Sequence, residues 1–434
     1  MTVGRPPGVG KRLVAGVLAT LCLAVSTGVF GPSTPPAAAA PMPPTTPVTD
    51  HCPHRVHTPP AVDESEVVAP GSPTPTPLPV PAPPVGGAQL ADCGVVVDPT
   101  AGPVPPALTS AGWLVADLDS GAVLAAKDPH GRYRPASTVK VLLALVVLDE
   151  LGLDTVITPT VEEWSTEGDS CGMGPGGRYS NRDLLTGLLV VSGNDCAGAL
   201  ARQLGGVEAT LAKMNTTARS LGALDTRAAS PSGLDAPGMS SSPYDLALIF
   251  REAMSDSIFR SILALENYRF PGYPRRSDVP GDEDHPPYLM HSSNHLLLEG
   301  YPGMVGGKTG YTDDARKTYV GVTERDGRRI LVVEMFGLTV GTNSYWDQTK
   351  ALFDYGFRTP SSAAVGKLAT RTAAVTTSPA SSAPTTTPTA AARTVAAAGT
   401  DQPTGWSIRI LIGLIAALAA VILLLVALRL FAKR

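Results

Sequence analysis

The chain has 434 residues, of which 43% are hydrophobic and 17% are charged, and its formal net charge at pH 7 is -4. This length accommodates one large domain with appendages. The slightly acidic charge balance argues against a nucleic-acid partner.

The first forty residues have the pattern of a secretory signal peptide. Arg5, Lys11 and Arg12 precede an apolar run at 13–25, and alanines occupy 37–40. We therefore predict a signal at 1–40 that is cleaved near the last two alanines. An uncleaved membrane anchor is the alternative, because the apolar run is short and the alanines lie well beyond it. Both alternatives predict an exported protein.

Five cysteines are present, and Cys22 lies within the apolar run of the signal. Export places the other four, Cys52, Cys93, Cys171 and Cys196, in an oxidising compartment, where disulfides form. Four cysteines allow three pairings. We favour Cys52 with Cys93 and Cys171 with Cys196. The three histidines around Cys52 match no zinc-binding spacing, so no metal site is predicted.

Residues 41–106 are dense in Pro, Ala, Val and Thr. Such a composition predicts an extended extracellular arm that is draped on, or leads to, a folded domain. We place that domain at 107–358. It begins with a predicted β-hairpin whose strands cover 113–118 and 122–125, and the hairpin leads directly into a helix.

The helix predicted after Pro135 is apolar at nearly every position from 139 to 148 and should be buried on all sides. Lys140 interrupts it, and a buried ammonium is costly unless it is paired or loses its proton. Ser137 lies three residues earlier, so its hydroxyl and the Lys140 amine can share a face. A lysine with a lowered pKa can accept the serine proton. The alternative is a capping serine and a lysine that extends to the helix end.

A second motif follows a helix predicted at 181–191. Ser192-Gly193-Asn194 stands where the helical pattern ends, so a hydroxyl and an amide can face a cavity, although both residue types are also common in turns. The glycine-rich stretch at 172–177 has no preceding strand and no P-loop lysine. It predicts a flexible loop and not a phosphate site.

The third motif is Lys308-Thr309-Gly310-Tyr311, at the glycine-rich edge of a hairpin predicted to continue to residue 336. Glycines at a strand edge allow a ligand to approach the backbone closely. Lys308 and Thr309 offer a cation and a hydroxyl to an anionic ligand. A solvated lysine in a turn is the alternative interpretation.

A last helix, predicted at 345–355, closes the domain. Residues 359–405 are rich in Ala, Thr, Ser and Pro, which predicts a disordered stalk. The segment 406–431 contains an uncharged apolar run long enough to cross a lipid bilayer. Basic residues at its end predict a cytoplasmic tail at 432–434. The expected location is therefore the cell membrane, with the domain outside.

The three motifs follow one another in a single order, Ser137-x-x-Lys140, Ser192-x-Asn194 and Lys308-Thr309-Gly310. The set resembles the penicillin-binding, serine β-lactamase-like superfamily, and within it the D-alanyl-D-alanine carboxypeptidases of peptidase family S11. The resemblance covers about 111–357. It implies an α/β (α+β) fold in which a five-stranded antiparallel sheet is flanked by helices, with a mainly helical subdomain that carries the second motif.

The resemblance also implies roles for these residues. Ser137 attacks the peptide bond between the two terminal D-alanines of a peptidoglycan stem, and Lys140 is its general base. Ser192 relays a proton to the leaving D-alanine, and Asn194 holds Lys140 and the substrate amide. No metal or organic cofactor is required.

For the third motif, the resemblance implies that Lys308 and Thr309 bind the substrate carboxylate while the charge of Lys308 lowers the pKa of Lys140. The backbone N–H groups of Ser137 and Tyr311 form an oxyanion hole, and Gly310 is a further substrate-binding residue. Stem peptides, covalently inhibiting β-lactam antibiotics and the lipid bilayer are the implied partners.

Three other functions fit parts of this pattern. A class A β-lactamase needs a glutamate in Glu-x-x-Leu-Asn, and the corresponding region at 227–234 has no glutamate. A D,D-endopeptidase uses the same motifs and differs only in its cleft. A silent wall-binding or β-lactam-sensing protein is disfavoured by the intact motifs.

Overall fold

The computed structural model describes residues 46–339 and 341–370. The expected signal at 1–40, most of the stalk, the membrane segment at 406–431 and the tail lie outside these residues. Among the described residues, no helix is both long enough and apolar enough to cross a membrane.

The described part of the chain contains strands at both ends of the domain and a run of consecutive helices, α3 to α7, between them. The strands are β1 (Val95–Val97), β2 (Gly112–Asp117), β3 (Ala122–Lys127), β4 (Val156–Ile157), β5 (Tyr179–Ser180), β6 (Asn267–Phe270), β7 (Tyr288–His291), β8 (Met304–Thr312), β9 (Arg316–Arg325), β10 (Arg328–Gly337) and β11 (Gly366–Lys367). The helices are α1 (Lys140–Glu150), α2 (Val161–Trp164), α3 (Asn181–Val190), α4 (Asn194–Gln203), α5 (Val207–Leu221), α6 (Pro243–Ala253), α7 (Ser257–Leu263), α8 (His295–Leu298) and α9 (Tyr345–Arg358).

The main sheet is antiparallel and has the strand order β1-β3-β2-β10-β9-β8, with β11 also paired to β3. Its five longest strands, β3, β2, β10, β9 and β8, form the five-stranded sheet that the family resemblance implies. The two predicted hairpins are β2–β3 and β9–β10. β8 forms one edge of this sheet, which leaves that edge open to a ligand.

Alternation along the strands divides the core into two layers, because successive side chains of a strand point to opposite faces. In β2, Leu114 and Ala116 pack in a cluster with α1 and α6, whereas Trp113 and Val115 pack in a cluster with α9. The sheet is therefore covered by helices on both faces, and the predicted α/β fold class is confirmed.

α1 is the central helix of the molecule, as predicted. It contacts α3, α4, α5 and α6, and its residues from Lys140 to Ala144 are all buried. A short 3-10 turn, Ala136–Val139, precedes it. Helices α1 to α5, together with the small β4–β5 pair, build the mainly helical part that carries the second motif.

The structure corrects both expected boundaries of the domain. The arm does more than extend along the surface: β1 joins the sheet, and Leu90, Cys93 and Val96 are buried. At the other end, the expected stalk begins too early, because β11 pairs with β3 and Leu368 is buried. Short sheet pairings of this kind depend on distant strands, so composition alone does not reveal them.

Candidate active site

Ser137 lies in the 3-10 turn that leads into α1, and its neighbours hold that turn from two sides. Thr138 and Thr318 both donate hydroxyl hydrogen bonds to the carbonyl of Pro135, at 2.6 and 2.8 Å. Ala136 has a φ of 46°, in the left-handed region that costs a non-glycine residue about 1–3 kcal/mol. A strained, doubly anchored turn therefore presents the Ser137 hydroxyl.

Lys140 is fully buried, and its Nζ has three oxygen neighbours. These are Ser137 Oγ at 2.7 Å, Asn194 Oδ1 at 2.8 Å and the carbonyl oxygen of Ser232 at 2.6 Å. The carbonyl and the amide oxygen can only accept hydrogen bonds, whereas a hydroxyl can also donate. A neutral amine that donates to these two oxygens therefore directs its lone pair at the Ser137 hydroxyl.

The pKa of Lys140 is shifted well below its ordinary value. Burial is the largest cause, and the positive charge of Lys308 adds to it, while the carboxylates of Asp169 and Asp195 act in the opposite direction. Burial disfavours the charged form of a lysine, and a nearby like charge does the same. The environment thus prepares Lys140 to accept a proton from Ser137.

The second motif lies at the junction of α3 and α4, and α4 begins at Asn194. The Asn194 side chain donates from Nδ2 to the carbonyl of Glu167 at 2.8 Å, which directs its Oδ1 at Lys140. Ser192 is buried, has a φ of 66°, and its Oγ has no hydrogen-bond partner among the described residues. The Ser192 hydroxyl is therefore available to a reacting group.

Asp195 organises the loop that packs against this motif. Its carboxylate accepts hydrogen bonds from the backbone N–H groups of Cys171, Gly172 and Met173, from the Ser170 hydroxyl and from its neighbour Cys196. Asp195 thus attaches loop 169–173 to the start of α4.

The predicted disulfides are confirmed. Cys52 pairs with Cys93 in the arm, and Cys171 pairs with Cys196 beside the second motif. The second bridge packs closely on α3, where a Cβ at Gly187 would lie 2.5 Å from the Cβ of Cys171. It covalently joins loop 169–173 to α4, next to Asn194.

The third motif lies on edge strand β8, as predicted. A Cβ at Gly310 would lie 2.8 Å from the backbone nitrogen of Ser137, so only glycine allows β8 to approach the nucleophile this closely. The Thr309 hydroxyl forms a 2.9 Å hydrogen bond with the Ser293 hydroxyl. Tyr311 is exposed, and its hydroxyl donates to Asp313 at 2.8 Å.

Lys308 is fully buried, and its Nζ donates to the carbonyl of Thr309 at 2.6 Å. Burial lowers the pKa of Lys308 to about 7, against an opposing effect from the carboxylate of Asp169. Burial therefore makes the charged form of Lys308 less favourable than that of an exposed lysine. The positive charge of Lys308 is the second cause, after burial, of the lowered pKa of Lys140, which is the direction that the family resemblance implies.

A cleft of about 280 Å³ runs along the Thr309 side of β8. It is lined by Asp169, Ser293, His295, Thr309, Gly310, Tyr311, Lys317, Thr318, Tyr345 and Trp346. His295 stacks on Trp346 with ring centroids 5.1 Å apart, which gives this cleft a flat aromatic wall. The cleft has room for a small group beside the motif residues.

Several residues of this site could not be identified from the sequence. Ser232 contributes a backbone carbonyl, which any residue type would supply, and Ser293 and Asp169 come from loops without a motif. Gly233 has a φ of 87°, and a Cβ there would collide with the carbonyl of Ala136, so a glycine between turn residues was the available signal. Asp195 carried no signal, because an acidic residue in the first turn of a helix is common.

Comparisons with known proteins support one family. The family model described as D-alanyl-D-alanine carboxypeptidase, Peptidase_S11, matches residues 100–338, which is more than half of the chain. D-alanyl-D-alanine carboxypeptidase DacB2 of Mycobacterium tuberculosis is 48% identical over 259 residues, a match that covers 59% of this chain and 85% of that protein.

Two solved structures show the same fold. A crystal structure of D-alanyl-D-alanine carboxypeptidase from Mycobacterium tuberculosis has a TM-score of 0.57 and 44% identity, and the match covers 62% of this chain and 99% of that chain. The Streptomyces K15 DD-transpeptidase has a TM-score of 0.52 and 26% identity, with 59% of this chain and 99% of that chain covered. The chain belongs to the D-alanyl-D-alanine carboxypeptidase family, peptidase family S11, and is a serine-type peptidase.

Proposed function

We propose that the protein removes the terminal D-alanine from peptidoglycan stem pentapeptides through an acyl-enzyme on Ser137. The observation that carries this proposal is the 2.7 Å contact between Lys140 Nζ and Ser137 Oγ, in a site that lowers the pKa of the lysine. A neutral amine within hydrogen-bond reach of a hydroxyl is the arrangement that general-base activation requires.

In the first step, Ser137 Oγ attacks the carbonyl carbon between the two terminal D-alanines, and its proton passes to Lys140 Nζ. The carbonyl oxygen becomes an oxyanion that accepts hydrogen bonds from the backbone N–H groups of Ser137 and Tyr311. Each such donor contributes about 3 kcal/mol in other enzymes. The close approach of β8 to Ser137 at Gly310 supports this pairing of donors.

In the second step, the tetrahedral intermediate collapses and the C–N bond breaks. The proton on Lys140 returns to the leaving amine through the Ser192 hydroxyl, which has no other partner among the described residues. Asn194 holds Lys140 with Oδ1 and has a remaining N–H for the substrate amide. Water then hydrolyses the ester and releases the shortened peptide.

Lys308 and Thr309 select substrates that end in a free carboxylate. The Thr309 hydroxyl donates a hydrogen bond to the carboxylate, and the charge of the buried Lys308 attracts the carboxylate electrostatically. A β-lactam offers a strained amide and a carboxylate in a similar arrangement, so penicillins should acylate Ser137.

We further propose that the catalytic domain works outside the cell, on the cell wall. Two disulfides support an oxidising compartment, because cytosolic thiols are kept reduced. The proposed signal at 1–40 and the proposed membrane anchor at 406–431 would place the domain there.

The test is a turnover assay of the purified protein on a stem pentapeptide that ends in D-Ala-D-Ala. Release of D-alanine, together with stoichiometric labelling of Ser137 by a fluorescent penicillin, is expected. A cross-linked stem-peptide dimer run in parallel distinguishes an endopeptidase. Cleavage of the dimer without release of D-alanine from the pentapeptide would contradict the proposed carboxypeptidase activity.

A further inference from the structure

The strand register places the residues of the third motif on two different faces of the sheet. Thr309 is opposite Tyr319, and Tyr311 is opposite Lys317, in the antiparallel pairing of β8 with β9. Directly opposite residues share a face, and successive residues alternate. Thr309 and Lys317 therefore lie on one face as diagonal neighbours, whereas Lys308 lies on the other face.

Lys308 is poorly placed to contact a substrate carboxylate directly. Its side chain is fully buried, its ammonium donates to the carbonyl of Thr309, and it does not line the cleft. A group that binds an anion in the cleft needs a donor at the cleft surface. Lys308 is restricted to acting through its electric field.

Lys317 has the properties that Lys308 lacks. It is half-buried and lines the cleft together with Thr309 and Ser293. Within residues 46–339 and 341–370, no carboxylate forms an ion pair with it. Its Nζ lies 5.7 Å from the centroid of the Tyr345 ring, at the far end of the range for a cation–π contact. This ammonium is held in the cleft by a weak contact that an anion can replace.

The other charged groups of the cleft do not neutralise Lys317. The Asp169 carboxylate acts on the two buried lysines, since it opposes the lowering of the pKa of both Lys140 and Lys308. His295 stacks on Trp346 and forms part of the aromatic wall. A free carboxylate entering the cleft therefore meets the Lys317 ammonium, which has no ion-pair partner among the described residues, and the neighbouring hydroxyls of Thr309 and Ser293, with the Asp169 carboxylate also in the lining.

We propose that Lys317 is the cation that pairs directly with the terminal carboxylate of the substrate, with the Thr309 and Ser293 hydroxyls as its companions. This assignment rests on the proposed function, because it takes the D-Ala-D-Ala peptide as the ligand. The two lysines then have different roles on different faces of the sheet. Lys308 acts on Lys140 from the buried face, and Lys317 binds the substrate on the cleft face.

The experiment compares Lys317→Met and Lys317→Arg in the full chain, on a stem pentapeptide with a free C-terminal carboxylate and on the same peptide amidated at its C-terminus. Loss of a charge-assisted contact should raise KM for the free acid about tenfold to a hundredfold. Lys317→Arg should retain most of the affinity, and the amidated peptide should be turned over equally by all variants. Lys350→Met, which removes a lysine paired with Glu299 on the solvent side of α9, is the charge-matched control.

A binding measurement separates this inference from the proposed activity. In a Ser137→Ala background, calorimetry should show that the free acid binds more tightly than the amide, and that Lys317→Met removes the difference. This readout does not depend on turnover. If Lys317→Met weakened binding of the free acid and of the amide equally, or weakened neither, the assignment of Lys317 would be overturned. Failure of the parent protein to release D-alanine would instead overturn the proposed function.

Discussion

The side-chain nitrogen of Lys140 lies 2.7 Å from the hydroxyl oxygen of Ser137 and is fully buried there. The two other oxygens around this nitrogen, from Asn194 and Ser232, can only accept hydrogen bonds. The geometry therefore leaves Ser137 as the group that can give a proton to a neutral Lys140.

Lys140→Arg is expected to lower the acylation rate by at least about a hundredfold, because general bases contribute about 10²–10⁴ in rate. Arginine keeps the positive charge but does not lose its proton in proteins, so it cannot act as a base. The rate of fluorescent penicillin labelling is the measurement, and Ser137→Ala should abolish labelling altogether. Stoichiometric label on the Ser137→Ala protein would remove this serine from the mechanism.

Lys308→Ala is expected to shift the acid limb of the pH profile of kcat/KM to higher pH. Positive charge on Lys308 lowers the pKa of Lys140, so its removal raises that pKa and leaves Lys140 protonated over a wider range. Because the pKa of Lys308 is about 7, its charge is present mainly below neutral pH, and the variant should differ most there.

The same shift should appear with a C-terminally amidated substrate, since the effect lies on the base and not on carboxylate binding. Any additional decrease in kcat/KM that is confined to the free-acid substrate measures the contribution of Lys308 to carboxylate recognition. An unchanged acid limb would show that the two lysines are not electrostatically coupled during catalysis.

Replacement of Cys171 and Cys196 by serine is expected to lower the free energy of unfolding by about 3 kcal/mol, the value typical for a bridge that closes a loop of this size. Acylation should also slow, because the bridge holds loop 169–173 against the start of α4. The matched control replaces Cys52 and Cys93, which should destabilise the protein without slowing acylation of the remaining folded molecules. Chemical denaturation and penicillin labelling provide the two measurements.

The arm is attached to the residues that precede the nucleophile. Arg134 is buried, and its guanidinium donates to both carboxylate oxygens of Glu66 at 2.6 and 2.7 Å and to the carbonyl of Pro59 at 2.8 Å. Asp314, just beyond the end of β8, lies 3.9 Å from the Arg134 guanidinium and accepts a hydrogen bond from the arm hydroxyl of Ser65 at 3.2 Å. The arm thus bridges the nucleophile turn and the end of β8.

Glu66→Gln is expected to lower the free energy of unfolding by about 1.5–3 kcal/mol, the cost of losing a hydrogen bond to a charged group. Glu64→Gln removes a neighbouring, exposed carboxylate of the same arm and should change stability by less than about 0.5 kcal/mol. Thermal unfolding of both variants is the measurement. Equal melting temperatures for the two would show that the Arg134 contact does not hold the arm.

Features that depend on local spacing could be predicted from the amino-acid pattern alone. Ser137 and Lys140 are three residues apart on a helical turn, so backbone geometry brings their side chains together without help from the rest of the chain. The hairpins and the buried central helix follow from periodicity in the same way. The three motifs in one order were enough to indicate the family, because a coincidence of all three is improbable.

Contacts between groups that are far apart in the chain could not be predicted in this way. Asn194 Oδ1 and the carbonyl of Ser232 both contact Lys140 Nζ, although they are distant from it in the sequence. Lys317 lies in the cleft because of the register in which β8 and β9 pair. The burial of Leu368 and the arm's place beside Arg134 likewise depend on surfaces that form only when the sheet is assembled. Contacts between residues far apart in sequence arise from the burial of complementary surfaces. The order of residues along the chain does not show which surfaces will be buried against each other.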